Sequence, residues 1–411
     1  MKIFKRNSYF LLVVIFAGLF LNSCKKNDEP TPENYEYFIS NELKTTITTA
    51  QAVANFTKLS TDAANAANVA YLITSVVEVH KLIYKTTFHN NDIEASGLVC
   101  MPKTAGNYPV LSFQNGTNTL HSMAPTEAVD DDLYSTIESL ASMGFIVVIP
   151  DYIGFGASSQ LEHPYLDKQT TTQSILDLIR AAKEFGTEDQ IAAKPTTDLF
   201  LFGYSQGGWA TLALQKTIEE NYTSEFNLIA SSCGAGPYSI ENMNNYINSL
   251  TTYQTPYFLA YLLNSYHSSE TVNEPLSDYF QEPYASKIPG LFDGNHSGSS
   301  IDAELTTNLD NLLTSEFRTE FDSNTKFDGL RNSFSVNSVT AWNISTPTHL
   351  YHGEEDQVIP FSISQTMFDE FKTAGVPDSK IQLIPIPGAN HTSGVDQFGM
   401  QTILWFLPLR K

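Results

Sequence analysis

A serine set between glycines, Gly203-Tyr204-Ser205-Gln206-Gly207-Gly208, is where chemistry is legible in this chain. A Gly-x-Ser-x-Gly run alone is a weak signal, but the apolar stretch Leu199-Phe200-Leu201-Phe202 leads straight into this one, and a helical pattern over 209–218 leaves it. A strand, a sharp turn and a helix together present a serine hydroxyl as a nucleophile. Gly203 and Gly207 fit that turn because a Cβ at either place would strike neighbouring backbone. A serine hydroxyl reacts at neutral pH only with a base beside it and a carboxylate to orient the base. Both residue types follow in order. The stretch 347–351 reads as a strand and ends in His352-Gly353-Glu354-Glu355-Asp356-Gln357-Val358-Ile359-Pro360, which offers Glu354, Glu355 and Asp356 as rival acids. The next strand, over 381–386, ends in Pro387-Gly388-Ala389-Asn390-His391 and makes His391 the candidate base. His121 and His352 lie near the same sheet edge, but neither follows the last strand.

Acyl transfer also requires two backbone N–H groups aimed at the developing oxyanion. Gln206, directly after the serine, supplies one. The second is expected from the loop after the third strand, Phe113-Gln114-Asn115-Gly116-Thr117-Asn118, where Gly116 lets the chain turn an amide inward and Thr117 is the candidate donor. No His-Glu-x-x-His pattern occurs, and Asp130-Asp131-Asp132 reads as acids favoured by a helix N-terminus rather than as a metal site. No metal or organic cofactor is expected.

These residues need a scaffold, and the pattern is one of strands alternating with helices, which implies an α/β fold with a mainly parallel sheet covered by helices. Strands are expected over 77–88 and 93–101, joined by the turn His89-Asn90-Asn91-Asp92, and then over 108–113, 145–150, 198–202 and 226–232. Leu133, Ile137 and Leu140 mark one helix, and Ile175, Leu178, Ile179 and Ala182 another. The alternation stops near residue 240 and resumes with the strand at 347–351, a helix over 362–373, the strand at 381–386 and a helix over 394–406. The interruption, 239–341, is too long for a structureless loop and reads as an inserted, largely helical cap. It divides a core of 41–238 and 342–411. Tyr253, Tyr257, Phe258, Tyr261, Tyr266, Tyr279, Phe280 and Tyr284 crowd its first half, and most are expected to form the cap's own core.

The chain begins with an address. Lys2, Lys5 and Arg6 precede an apolar run over 9–20, which is short for a membrane span, and then Leu21-Asn22-Ser23-Cys24. The pattern resembles a bacterial lipoprotein signal over 1–23, with Cys24 as the lipidated residue and 24–40 as a tether. The enzyme would then sit on the bacterial cell envelope, at the outer membrane or cell surface. A formal net charge of −22 argues against a nucleic-acid partner, whose phosphates need basic groups. Three cysteines are too few for a disulfide scaffold.

With Ser205, the acid loop, His391 and Asn115-Gly116-Thr117 in this order, the chain resembles the serine hydrolases of the α/β-hydrolase superfamily. Asp151-Tyr152-Ile153-Gly154-Phe155-Gly156, the Gly-Tyr-Ser-x-Gly-Gly turn and the insertion before the acid are similar to the secretory-lipase-like branch, over about residues 76–410. The Gly-x-x-Asp-x-x-Ile-Pro arrangement of that family selects Asp356 as the acid, with Glu355 as the runner-up. One departure is Asn115, where many members carry histidine. The resemblance implies a serine esterase or lipase acting on a small-molecule or lipid ester through an acyl-enzyme on Ser205. A cap-bearing aminopeptidase is the alternative. That alternative needs a carboxylate to hold a substrate ammonium, and the cap acids Glu270, Glu274, Asp278 and Glu282 read instead as a solvated face.

Overall fold

Residues 35–59, 70–269 and 271–410 are described by the computed structural model. The signal 1–23, Cys24, the tether residues 25–34 and Glu270 lie outside the described residues. One sheet carries the site. Its strands are β1 (Phe38–Ile47), β2 (Val77–Phe88), β3 (Asn91–Pro102), β4 (Gly106–Gln114), β5 (Ile146–Pro150), β6 (Ala193–Tyr204), β7 (Asn227–Gly234), β8 (Thr348–Gly353) and β9 (Ile381–Ile386). They lie in the order β1-β2-β3-β5-β4-β6-β7-β8-β9. From β5 to β9 every neighbouring pair is parallel, whereas β1, β2 and β3 join antiparallel at one side.

The mixed α/β class expected from the alternation is the one observed. All five residues of β5, Ile146-Val147-Val148-Ile149-Pro150, are buried, as a parallel strand covered on both faces requires. In β6 the alternation of side chains sends Leu199 and Leu201 into the core on one face, and Phe200 and Phe202 into the core on the other. Helices Lys168–Phe185 and Gln206–Asn221 pack on the first face, and helices Asp132–Ser139 and Gly394–Phe406 on the second. Asp131 is the N-cap of Asp132–Ser139, its carboxylate accepting from Leu133 N–H, and Asp132 pairs with Lys58 at 2.6 Å.

The strand β1 begins at Phe38, inside the segment 24–40 read as a tether. Its pattern hides it, because only Phe38 and Ile47 are buried and the residues between show no alternation. Glu184, on helix Lys168–Phe185, accepts the N–H groups of Glu36, Tyr37 and Phe38 at 2.7–3.0 Å and so ties the chain down at the edge of the sheet. That anchor is 146 residues away in sequence. Between β7 and β8 the chain is helical, with Ile240–Ser249, Tyr257–Ser268 and Asp328–Asn337 as the longest helices. Tyr279, Phe317, Phe321 and Phe327 form an aromatic core within it. No helix among the described residues is long and apolar enough to cross a membrane.

Candidate active site

Strand β6 delivers Ser205 to a turn that only glycine neighbours permit. A Cβ on Gly207 would lie 1.8 Å from the Gln114 carbonyl oxygen, and one on Gly203 would lie 2.5 Å from that of Gly207. Ser205 itself adopts φ +60° and ψ −125°, a conformation that costs a residue with a side chain about 1–3 kcal/mol. Its N–H is held by Gly234 O at 2.9 Å, and its carbonyl accepts Trp209 N–H as the helix Gln206–Asn221 starts. An elbow taken alone would leave the serine exposed. Here Ser205 is only 9% exposed, because the inserted helices lie over it.

The loops after β8 and β9 meet this turn. A Cβ on Gly353 would lie 2.3 Å from Ala389 O, so the two loops pack backbone to backbone. His391 Nε2 is 3.0 Å from Ser205 Oγ, and His391 Nδ1 is 2.6 Å from Asp356 Oδ2. Asp356 is buried, and its Oδ1 accepts the N–H groups of Val358 and Ile359, both at 2.9 Å. Glu354 and Glu355 are exposed, and among the described residues the polar partners of the His391 ring are Asp356 and Ser205. Burial alone would raise the Asp356 carboxyl. The His352 and His391 rings and the Ile359 amide outweigh it and hold the group at about 2. His352 is fully buried behind the acid, with Nε2 3.3 Å from Asp356 Oδ2 and 2.8 Å from Ile359 O, and Nδ1 2.6 Å from Ser364 Oγ. A hydroxyl, an imidazole and an ionised carboxylate in this chain can generate an alkoxide-like nucleophile and store its proton.

The loop after β4 lies against the same serine. A Cβ on Gly116 would be 3.9 Å from Ser205 Cβ. Tyr152 OH donates to Asn115 O at 3.1 Å, and Thr117 Oγ1 bonds Tyr165 OH at 2.9 Å. Gln206 is the first residue of its helix, where an N–H has no partner within the helix and faces outward from the start of the dipole. Asp151, whose segment carried part of the family resemblance, is a structural tie. It accepts from Ser96 and Thr126 and fixes the loop from which Tyr152 reaches Asn115. Sequence reading also passed over His163, which is buried beside Gln206 and has its Nε2 3.0 Å from Nε2 of that residue's side chain. No local pattern marks it, since it lies in a loop before a helix and earns its place through contacts distant in the chain.

Two spaces flank the serine and histidine. A narrow crevice of about 50 Å³ starts at Ser205 and is walled chiefly by apolar side chains, including Met243, Tyr253, Phe258, Leu262 and Phe334. Among the described residues, Asn244 is its one amide side chain and no carboxylate lines it. An open cleft of about 870 Å³ reaches His391 past Tyr246, Glu354, Glu355 and Asn390, and shares Tyr253 and Val358 with the crevice. Of the cap aromatics, Tyr253 and Phe258 line the crevice. Tyr261 stacks between Tyr165 and Phe292, and Tyr266, Tyr279 and Phe280 are core.

A family model described as secretory lipase matches residues 119–405. No curated protein matches. Among solved structures, a Legionella pneumophila protein described as a candidate hydrolase aligns over 91% of this chain and 98% of its own, with 21% identity and a TM-score of 0.80. The cell wall degrading esterase LipA from Xanthomonas oryzae aligns over 90% and 96%, with 24% identity and a TM-score of 0.74. Candida antarctica lipase A in its closed state aligns over 90% and 81%, with 17% identity and a TM-score of 0.65. At these identities the solved structures speak to the fold, which is that of an α/β hydrolase.

Proposed function

The chain belongs to the secretory lipase family and is a carboxylic ester hydrolase, and from that premise we propose that it works through an acyl-enzyme on Ser205. His391 Nε2 takes the proton of Ser205 as Oγ adds to the ester carbonyl. The N–H groups of Gln206 and Thr117 receive the oxyanion, and Asp356 stabilises the imidazolium. Collapse breaks the bond to the alcohol, which leaves with the proton held on His391. Water then adds to the acyl-enzyme with His391 again as base, and the carboxylic acid departs as Ser205 regains its proton.

The observation that carries the substrate reading is the contrast between the two spaces. Among the described residues the crevice at Ser205 is walled chiefly by apolar side chains and has no carboxylate, so it suits an acyl chain and offers no anionic group to hold a peptide's ammonium. The cleft at His391 is open and is lined by many more polar side chains, Glu354, Glu355, Asn390 and Thr392 among them, so it suits the leaving alcohol, which His391 protonates. Short-to-medium acyl esters are therefore the expected substrates. In a series from acetyl to palmitoyl esters of one alcohol, kcat/KM should rise by up to about fourfold per added methylene while the crevice fills, and then fall. An aminoacyl arylamide with a higher kcat/KM than the best ester would overturn this reading.

Family membership places the enzyme among secreted proteins. The finer localisation is a lipid anchor on Cys24 that holds the enzyme on a bacterial envelope membrane. It is supported by the basic start, the apolar run and the small residue before the cysteine. A palmitate analogue fed to cells should label the wild type and not Cys24→Ala, and equal labelling of both would remove the anchor.

A further inference from the structure

Building on the oxyanion assignment above, we propose that His163 and Tyr165 are positioning residues for the oxyanion site, and that the inserted helix Tyr257–Ser268 holds them there. His163 is buried, and its Nδ1–H donates to Ile153 O at 2.7 Å. Its Nε2 therefore carries a lone pair, which accepts from the Gln206 side-chain amide at 3.0 Å. Burial pushes His163 down to about 4, so the ring remains neutral and an acceptor at working pH. This is the one hydrogen bond recorded for the Gln206 side chain among the described residues, since its Oε1 is buried without a partner. Two residues on, Tyr165 OH bonds Thr117 Oγ1 at 2.9 Å. One short segment thus grips the side chains of both residues whose N–H groups face the oxyanion.

The insertion grips the segment in turn. Ser265 Oγ donates to His163 O at 3.1 Å and accepts Tyr165 N–H at 2.8 Å. The Tyr261 ring stacks on Tyr165 at 4.5 Å and 4°, and Tyr266 OH donates to Leu166 O at 3.2 Å. Tyr152, Phe155 and Tyr261 cage the His163 ring. An inserted helix seated in this way sets the oxyanion site as well as the crevice.

Two near-isosteres separate this role from ordinary core packing. His163→Asn places an amide N–H where Nδ1 was and keeps the bond to Ile153, but it gives Gln206 no acceptor. His163→Gln places an oxygen near Nε2 and keeps the bond from Gln206. His163→Asn should lower kcat about 10- to 100-fold with little change in KM, a fraction of what losing an oxyanion donor costs. His163→Gln should restore most of that loss. In a Gln206→Ala background His163→Asn should add little, because the bond is already gone. Tyr165→Phe, which removes a single hydroxyl, should also lower kcat at constant KM and keeps the test alive if a His163 variant fails to fold. A Gln variant at least as damaging as Asn, full additivity with Gln206→Ala, or an unchanged kcat in Tyr165→Phe would overturn the proposal. Failure of the underlying reading shows separately, as hydrolysis surviving in Ser205→Ala.

Discussion

Replacing Ser205 with alanine is expected to lower kcat by about a million-fold, to the residue of catalysis left by binding and the oxyanion site. The fold should survive. Among the described residues Ser205 Oγ makes a single hydrogen bond, to His391, whose net worth is about 1 kcal/mol. The strain of φ +60° is the same for alanine as for serine, so it drops out of the comparison. Thermal melting of the variant should therefore lie close to the wild type while turnover is lost. Covalent labelling gives the independent check. A small alkyl phosphonate should label the wild type and not the variant, and it should be small because Ser205 lies beneath the insertion at the mouth of a narrow crevice. An alanine variant labelled at a comparable rate would place the nucleophile elsewhere.

Asp356→Asn should cost roughly 10⁴-fold in kcat. The amide's orientation is dictated by the main chain. Val358 and Ile359 both point N–H groups at Oδ1 from 2.9 Å, so an asparagine must leave its oxygen there and turn its NH₂ toward His391. Nδ1 of His391 then accepts a hydrogen bond, the ring proton moves to Nε2, and the nitrogen facing Ser205 can no longer take a proton. Glu355→Gln, at an exposed position, should change kcat by less than about twofold. A larger loss from Glu355→Gln than from Asp356→Asn would overturn the acid assignment. The double variant His391→Ala/Asp356→Asn should be hardly worse than the poorer single, because the groups act as a unit. Stability gives a second readout. Asp356 is held at about 2, below its ordinary value, so its ionised form contributes roughly 2 kcal/mol above about pH 4, and this is lost as the pH falls toward 2. Denaturant midpoints of wild type and Asp356→Asn, followed over that interval, should fall more in the wild type, because other depressed carboxyls such as Asp293 titrate in both.

Much of the frame was legible because it is written in local patterns. The all-apolar run of β5, the leucine and phenylalanine alternation in β6 and the glycines around Ser205 each specify a conformation from a few adjacent residues. Helices Phe361–Thr373 and Gly394–Phe406 begin and end within a residue of their expected limits for the same reason. The strand β1 was not legible, since an edge strand with two buried residues has no period to read, and its anchor on Glu184 is remote in sequence.

At the site the division is the same. By itself the sequence determined that a serine would stand on a sharp turn at a sheet edge, with a carboxylate loop and a histidine loop arriving there in order, because the turn and the strand ends are local properties and a parallel sheet gathers its strand ends on one side. It left Glu354, Glu355 and Asp356 as rivals by residue type. Only the tertiary structure turned Asp356 inward, because the Val358 and Ile359 amides and the His391 ring converge on one carboxylate while its two neighbours remain in water. Only the tertiary structure covered Ser205 and set His163 and Tyr165 against Gln206 and Thr117. Those contacts join segments 43 to 48 residues apart, and which of many apolar and polar surfaces meet at such distances is decided by the packing of the whole chain rather than by any stretch of it.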